Sequence, residues 1–150
     1  MGGRHAIPGR IIHPGTGSGP LLVLEQPVSF WGGVDPVSGC ISDPRHPQHG
    51  EALAGRILVL DRTIGSSSSS AIMLELLRND VAPAGMVLGH TDSILILGIL
   101  VARELGYPTL PVIEVADTTE IGAWRTGTVA TIADGTLTAA DSLDGPTQGP

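Results

Sequence analysis

The sequence predicts an α/β domain in which a partly parallel sheet carries added antiparallel strands. Two observations lead to this class: short apolar runs alternate with helical patterns along the middle of the chain, and a β-hairpin pattern follows them. Hydrophobic residues make up 41% of the 150 residues but aromatic residues only 3%, so Val, Ile, Leu and Ala must build the core. A single domain over 1–150 is expected, with its core over about 20–140.

Short apolar or β-branched runs predict the strands. The last two strands form a hairpin that turns on Asp134–Gly135, a dipeptide typical of tight turns. The segment 141–150 is rich in Gly, Pro and Asp and is expected to be disordered. In chain order, the predicted strands cover 20–28, 55–64, 84–89, 110–115 and the hairpin 127–139.

Two helices are predicted between these strands. The first covers 70–80, where apolar residues recur at helical spacing. The second covers 92–106, where Asp92 or Ser93 is suited to cap the start and a glycine follows the last apolar residue. The apolar run 94–100 inside this second helix also fits a strand.

The charge and the cysteine count exclude several classes of protein. The net charge is −7 and the eight Lys and Arg residues are scattered, so nucleic-acid binding is not expected. Cys40 is the single cysteine, which rules out an internal disulfide and favours a reducing, cytoplasmic compartment. The first 20 residues lack the apolar stretch of a signal peptide, and the apolar run 94–102 is far shorter than the roughly 20 residues that span a bilayer. A soluble protein without membrane association is expected.

Charged residues make up only 15% of the chain, below the usual quarter of a globular protein. A small domain with so few charges often hides part of its surface against a partner.

Five consecutive serines, Ser66–Ser70, lie where the predicted strand 55–64 meets the predicted helix 70–80. This point is the carboxyl end of a buried strand, where α/β sheets bind their ligands. Gly65 can adopt backbone conformations that other residues avoid, and the free N–H groups of a helix start favour an anion by roughly 0.3–1 kcal/mol. The turn is therefore predicted to bind an anion or, in a dry site, to stabilise a serine alkoxide.

Two other interpretations of the serine run stay open. The serines can serve only as a cap for the helix, although one or two would be enough for capping. The run can also be a flexible linker, but a linker needs a second module that is able to fold alone.

Several other residues have weaker functional interpretations. Phe30 and Trp31 are aromatic residues in an aromatic-poor chain and are candidates to anchor an interface. Cys40 alone cannot hold an iron–sulfur cluster, which usually takes four thiolates. His90 follows the strand 84–89 and is a candidate to face the same edge as Ser66.

The segment 43–51 contains two histidines in a His-x-x-His pattern, with acidic residues at both ends. As a metal site this pattern is unspecific, since prolines interrupt it and no helix fixes its spacing. A solvated loop is the favoured interpretation. The four residues are Asp43, His46, His49 and Glu51.

Three motifs together resemble the small subunit, or swivel domain, of the aconitase X family. They are a Ser-Phe-x-Gly-Gly-Val-Asp-Pro loop at Ser29–Pro36, a His-Pro stretch that ends in Gly-Glu at His46–Glu51, and a strand that ends in Gly-Ser at Gly65–Ser66. The resemblance covers about 20–140, and the motifs are specific as a set.

The resemblance implies a swivelling β/β/α domain of the aconitase superfamily and a hydro-lyase that removes water from a hydroxy acid. It implies that Ser66 is the base that takes a proton from the carbon next to a carboxylate, and that Gly65, Ser67 and Ser68 contact the substrate. It also implies that this chain holds no metal and is inactive alone. The iron–sulfur cluster is expected on a large subunit, with which the chain forms a heterodimer or a larger assembly.

The sequence departs from classical aconitases, because Ser68 occupies the place of an arginine that helps to hold a carboxylate there. The serine-only run resembles bacterial aconitase X members, which include cis-3-hydroxy-L-proline dehydratases. Dehydration of cis-3-hydroxy-L-proline to a pyrroline carboxylate is therefore the favoured activity. The alternatives are the small subunit of a phosphomevalonate dehydratase of the mevalonate pathway and a non-catalytic anion-binding module. A phosphate prefers cations, and Arg56 and Arg62 are the cations that the sequence offers nearby.

Overall fold

The computed structural model describes residues 4–65, 67–124 and 126–140. Eight strands and four helices lie within these ranges. In chain order they are β1 (Arg4–Pro8), β2 (Arg10–His13), β3 (Gly17–Val23), α1 (Phe30–Gly33), β4 (Ile57–Leu60), α2 (Ser69–Arg78), β5 (Gly85–Leu88), α3 (Ser93–Glu104), β6 (Val112–Glu114), α4 (Thr119–Gly122), β7 (Val129–Ala133) and β8 (Thr136–Ala140). The tail predicted to be disordered, 141–150, lies outside the described residues.

The strands run in the order β1-β8-β7-β3-β4-β5-β6-β2. The four central strands from β3 to β6 are parallel, and the remaining pairs are antiparallel. The two outer strands of this order, β1 and β2, are separated in sequence by Gly9 alone. The strands therefore curl round into two layers, and the prediction of a partly parallel sheet with added antiparallel strands is confirmed.

Strand β3 belongs to both layers. Its first half, Gly17–Pro20, pairs with β7, and its second half, Leu21–Val23, pairs with β4. The antiparallel layer consists of β1, β8, β7 and the first half of β3. The mainly parallel layer consists of the second half of β3 with β4, β5, β6 and β2, so the bend in β3 joins the two.

The parallel strands are buried on both faces, which explains their uninterrupted apolar sequences. In β4, Leu58 and Leu60 point to a core that also contains the apolar faces of α2 and α3. The alternate residues Ile57 and Val59 point to a second core, which the antiparallel layer closes. The result is three layers in the order β/β/α.

The predicted helix 92–106 is confirmed as α3, so the alternative of a strand over 94–100 is wrong. The Asp92 carboxylate caps α3 by accepting the N–H groups of Ile94 and Leu95 at 3.0 and 3.3 Å. Gly106 follows the helix with a φ of +79°, in the left-handed region that favours glycine.

Helices α2 and α3 touch at Gly98. A Cβ atom at this position would overlap the carbonyl oxygen of Ser70 and would lie 3.0 Å from the Cβ of Met73. The missing side chain thus lets α3 approach the first turn of α2, and this contact holds the start of α2 in place.

The sequence patterns predict no strand before residue 20, yet β1, β2 and the start of β3 lie there. Glycines conceal the strand pattern of β3, because they are required by close backbone contacts. A Cβ at Gly17 would overlap the carbonyl oxygen of Ala84, and a Cβ at Gly19 would overlap that of Gly55. The predicted strand 20–28 also ends early, at Val23.

Glu114, the last residue of β6, ties three elements together. One carboxylate oxygen accepts the N–H and the hydroxyl of Thr91 at 2.9 and 2.7 Å, just before α3. The other accepts the Arg10 guanidinium of β2 at 2.8 Å. These hydrogen bonds stabilise the charged carboxylate and lower the pKa of Glu114 to about 2. The hydrogen bond from the Thr91 hydroxyl has the largest effect on this pKa, followed by the one from the Arg10 side chain.

This lowered pKa predicts a specific acid dependence of stability. Because the pKa is lower in the folded than in the unfolded protein, Glu114 stabilises the fold above pH ~4.5, and the contribution is lost as the pH falls towards ~2. We expect Glu114→Gln to lower the melting temperature at pH 7 and to melt like the wild type near pH 2. Thermal melts from pH 2 to 7 measure this, with Glu104→Gln at the exposed end of α3 as the control. A constant difference between the Glu114 variant and the wild type at every pH would contradict the expectation.

Candidate active site

The strand-to-helix connections after β4 and β5 and the chain that follows β6 meet at one edge of the parallel layer, called here the carboxyl edge. Gly65, Ser67 and Ser68 lie in the first connection, between β4 and α2, and the last two serines of the run are the first residues of α2. The predicted base, Ser66, lies outside the described residues. The predicted site is therefore described at Gly65, Ser67 and Ser68.

The described serines differ in burial and in hydrogen bonding. Ser67 is exposed, and Ser68 takes the position before α2, where its side chain makes no capping hydrogen bond. Ser69 is 1% exposed, and its Oγ has no hydrogen-bond partner among the described residues. Leaving a buried hydroxyl unpaired costs about 1–3 kcal/mol, so we expect a partner from outside these residues.

These positions decide between the interpretations of the run. A linker is wrong, because the segment joins β4 to a helix whose residues Met73 and Leu76 are fully buried in the core. A simple cap is not supported at Ser68, whose backbone carbonyl, not its hydroxyl, receives the N–H groups of Ala71 and Ile72. The interpretation that remains is a turn with exposed and buried hydroxyls at the carboxyl edge.

Gly65 does not have the conformational role expected of it. Its φ lies outside the left-handed region, so the backbone there does not require glycine. A Cβ at Gly65 would also find no heavy atom of the described chain within 4 Å. The position is open, which leaves space directly beside the serine run.

Hydrogen bonds hold the connection after β4 against the one after β5. The hydroxyl of Thr63 donates to the Asp92 carboxylate at 2.8 Å. The N–H of His90 donates to the Asp61 carbonyl at 2.7 Å, and a Cβ at Gly89 would overlap the Asp61 carboxylate. His90 therefore lies at the same edge as the β4 connection, as the sequence suggested, with its ring exposed.

The charges at this edge are mainly acidic among the described residues. A cavity of about 240 Å³ opens beside Asp61 and is also lined by Glu25, Thr118 and Thr119. Arg62 is exposed at the same end of β4. Arg56, which is near the serine run in sequence, does not lie at this edge, because it precedes β4 at the opposite end of the strand and pairs with Glu51 at 2.8 Å. Of the two arginines that the sequence offers near the serine run, Arg62 therefore lies at this edge and Arg56 does not.

The sequence of segment 43–51 favours a solvated loop, and the structure corrects this expectation at His46. His46 is buried and not in a solvated loop: its Nε2 donates to the Gln26 carbonyl, and its Nδ1 accepts the Gln48 N–H, each at 3.0 Å. His49 is exposed. Both ring nitrogens of His46 are occupied, and within the described ranges no group of three or more His, Cys, Asp or Glu could hold a metal ion.

The Ser29–Pro36 motif lies beside the β4 connection. Val28 pairs with Thr63 in a β-bridge, and Val28 accepts the N–H of Ile64 at 3.0 Å. Phe30 is fully buried, so its interpretation as an interface anchor is wrong, whereas Trp31 is 58% exposed and stays a candidate.

Asp35 closes the turn at the end of this motif. Its carboxylate accepts the N–H of Val37 at 2.9 Å and the hydroxyl of Ser38 at 3.0 Å. These two hydrogen bonds lower the pKa of Asp35 below its usual value, the Val37 bond most. Asp35 therefore has a structural function in the turn.

Among the described helices, none is long and apolar enough to cross a membrane.

Two sheets, one helix layer and a serine-rich turn at an open edge define a β/β/α domain of the swivel type. The chain belongs to the aconitase X swivel domain family, whose model matches residues 6–139. The crystal structure of Thermococcus kodakaraensis aconitase X in its holo-form is similar, with a TM-score of 0.78 and 28% identity, over 90% of this chain and 98% of that chain.

Two curated relatives differ in length and in name. A cis-3-hydroxy-L-proline dehydratase of Pseudomonas aeruginosa is 43% identical over 108 residues, which are 72% of this chain and 19% of the relative. A phosphomevalonate dehydratase small subunit of Methanothermobacter thermautotrophicus is 37% identical over 93 residues, which are 62% of this chain and 71% of the relative. The chain thus spans about a fifth of the length of the hydroxyproline dehydratase.

The two glycines of the carboxyl edge are expected to respond differently to substitution. Gly65→Ala should change the free energy of unfolding by less than about 0.5 kcal/mol, because the added Cβ meets open space. Gly89→Ala should lower it by about 1–3 kcal/mol, because the added Cβ overlaps Asp61. Urea unfolding of both variants measures this, and equal losses would contradict the described geometry of the edge.

Proposed function

We propose that this chain is the small subunit of a hydro-lyase that dehydrates a small hydroxy acid. The observation that carries the proposal is the serine run on an open turn at the carboxyl edge of an aconitase X swivel domain. The names of the relatives support the reaction class, because both are dehydratases. A cytoplasmic location is part of the proposal.

In this proposal Ser66 takes a proton from the carbon next to the substrate carboxylate. A serine hydroxyl is a weak base unless its alkoxide is stabilised. The first N–H groups of α2 lack partners within the helix and carry the positive end of its dipole, so they favour a negative charge beside the turn. Ser67 and Ser68 follow the base in sequence, and the open space at Gly65 allows the substrate to approach.

The turn needs a cover to work in this way. Donors of this kind stabilise a developing charge strongly only where water is excluded. Gly65 and Ser67 are exposed in the isolated chain. We therefore propose that a large subunit closes over the carboxyl edge and that the chain alone is inactive.

The iron–sulfur cluster expected for the family does not fit the described residues of this chain. Cys40 is the single cysteine of the sequence and is partly buried, and the described residues contain no metal-binding group around it. We propose that a cluster, where the reaction uses one, is held by the large subunit. The function assigned to this chain is limited to proton removal and to binding of the substrate.

The favoured substrate is cis-3-hydroxy-L-proline. Glu25 and Asp61 line the cavity at the edge, and carboxylates attract the ammonium group of an amino acid but repel a phosphate. Phosphomevalonate is the second candidate, which the small-subunit relative supports. Phosphate binding would be expected to use cations. Of the two arginines near the serine run in sequence, Arg62 lies at the edge, whereas Arg56 lies at the far end of β4.

An activity assay tests the base and the substrate together. The chain is co-expressed with the aconitase X large subunit of the same genome and assayed without oxygen on both substrates. We expect turnover of cis-3-hydroxy-L-proline and a loss of about 10²–10⁴-fold in kcat for Ser66→Ala. Ser18→Ala, which removes a hydroxyl from β3, is the control and should keep full activity.

The other outcomes distinguish the alternatives. Turnover of phosphomevalonate would keep the base and replace the substrate. A Ser66→Ala enzyme within a few-fold of the wild type would remove Ser66 as the base. If that variant lost only stability, by about 0.5–2 kcal/mol, a capping role would be shown instead. Calorimetric binding of phosphate or a carboxylate to the chain alone, without turnover in any complex, would favour the anion-binding module.

A further inference from the structure

Helix α3 exposes a row of large aliphatic side chains, called here the α3 stripe. The stripe consists of Ile94, Leu97, Val101 and Leu105, which are 38, 51, 37 and 57% exposed. Their spacing of three, four and four residues places them along one face of the helix and its end. A surface helix usually turns charged or polar residues to water on the face away from the core, so this stripe is unusual.

The neighbouring helix in the same layer shows the usual pattern. Helix α2 exposes Ala71 and Arg78, and its Glu75 is joined to Arg78 by an ion pair of 2.7 Å at the surface. The two helices touch at Gly98, which borders the stripe because it lies four residues after Ile94 and three before Val101. The four side chains of the stripe nevertheless keep more than a third of their surface exposed among the described residues.

The apolar surface continues from α3 towards β2. A groove of about 300 Å³ lies between the two elements, and Ile11, 51% exposed, lies at its β2 side. On the α3 side it is lined by Ile96 and Leu100. The groove is also lined by Arg10, Thr91 and Ser93, so the stripe and this groove, together called the α3 surface, combine aliphatic side chains with a polar margin.

The start of the stripe adjoins the candidate active site. Ile94 donates its N–H to Asp92, and the other oxygen of Asp92 accepts the hydroxyl of Thr63, a residue of the β4 connection. Any partner that closes over the carboxyl edge therefore also reaches the first turn of α3. The α3 surface is continuous with the face that the proposed large subunit must cover.

The size of the surface argues against a second copy of this chain as the occupant. Four partly exposed side chains and a small groove present far less area than the roughly 800 Å² that each partner contributes to a stable interface. The proposed large subunit also covers the carboxyl edge, which adds the area of that edge to the interface. The remaining four fifths of the hydroxyproline dehydratase relative show how much polypeptide such an enzyme includes beyond this domain.

We propose that the α3 surface is a docking surface for the large subunit, which contacts it through an apolar patch of its own. The inference rests on the proposed function, since that function requires the large subunit. Aliphatic side chains that lose their water on docking supply affinity without the cost of desolvating charges. The serine turn supplies the chemistry, and the α3 surface supplies the affinity.

Matched charge substitutions test this proposal. Leu97→Glu places a charge in the stripe, and Val129→Glu places the same charge on β7, where Val129 is also exposed. We expect Leu97→Glu to raise the Kd for the purified aconitase X large subunit at least tenfold, with turnover restored by excess large subunit. Val129→Glu should bind like the wild type. Melting temperatures of both free variants show that the fold is kept, and Val101→Glu replaces Leu97→Glu if that variant does not fold.

The result separates this proposal from the proposed function. A wild-type chain that does not bind the large subunit overturns the proposed function and the docking surface with it. Wild-type affinity of Leu97→Glu and Val101→Glu, in a complex that turns over substrate, overturns the docking surface alone. Self-association of the free wild-type chain that Leu97→Glu abolishes, with large-subunit binding unchanged, would assign the surface to a second copy and also overturn the proposal.

Discussion

The contact between Gly98 and the carbonyl of Ser70 decides where the serine turn lies. The backbone of the first turn of α2 packs directly on α3, because Gly98 has no side chain at the point of contact. The approach is close because the core beneath, which includes Met73 and Leu95, draws both helices onto the parallel layer. A larger residue at Gly98 would push α2 outward and move the turn away from Asp92 and Thr63, which join the neighbouring connections. The geometry of the site thus depends on a missing Cβ atom on another helix.

The elements that the sequence predicts well are those whose residue pattern has one cause. Strand β4 is apolar throughout because both of its faces are buried, and α3 keeps helical spacing between a capping Asp92 and Gly106. The pattern of strand β3 has a second cause. Gly17 and Gly19 are required by close contacts with backbone that is distant in sequence, and glycine has a low strand propensity. Local patterns do not contain contacts between residues far apart in the chain, so β1, β2 and the first half of β3 are not predicted.

The same limit applies to the candidate site. The position of the serine run between a buried strand and a helix follows from the sequence, but the role of Ser66 as a base comes from the family resemblance and stays a proposal. Arg56 and Arg62 are six residues apart in sequence, yet they lie at opposite ends of β4, where one is paired and the other exposed. His46 looks like a solvated histidine because nothing local shows that the Gln26 carbonyl and the Gln48 N–H enclose its ring.

The pairing of β1 with β8 has a consequence for how this domain can be joined to a longer polypeptide. Arg4 and Ala140 are register partners, so the chain enters and leaves the fold at neighbouring points of one strand pair. Antiparallel partners lie about 5 Å apart, and a polypeptide joined at either end need not disturb the sheet. A further polypeptide can therefore be joined next to this strand pair without breaking its register. This matches the two lengths among the relatives, where the domain is about a fifth of one protein and most of another.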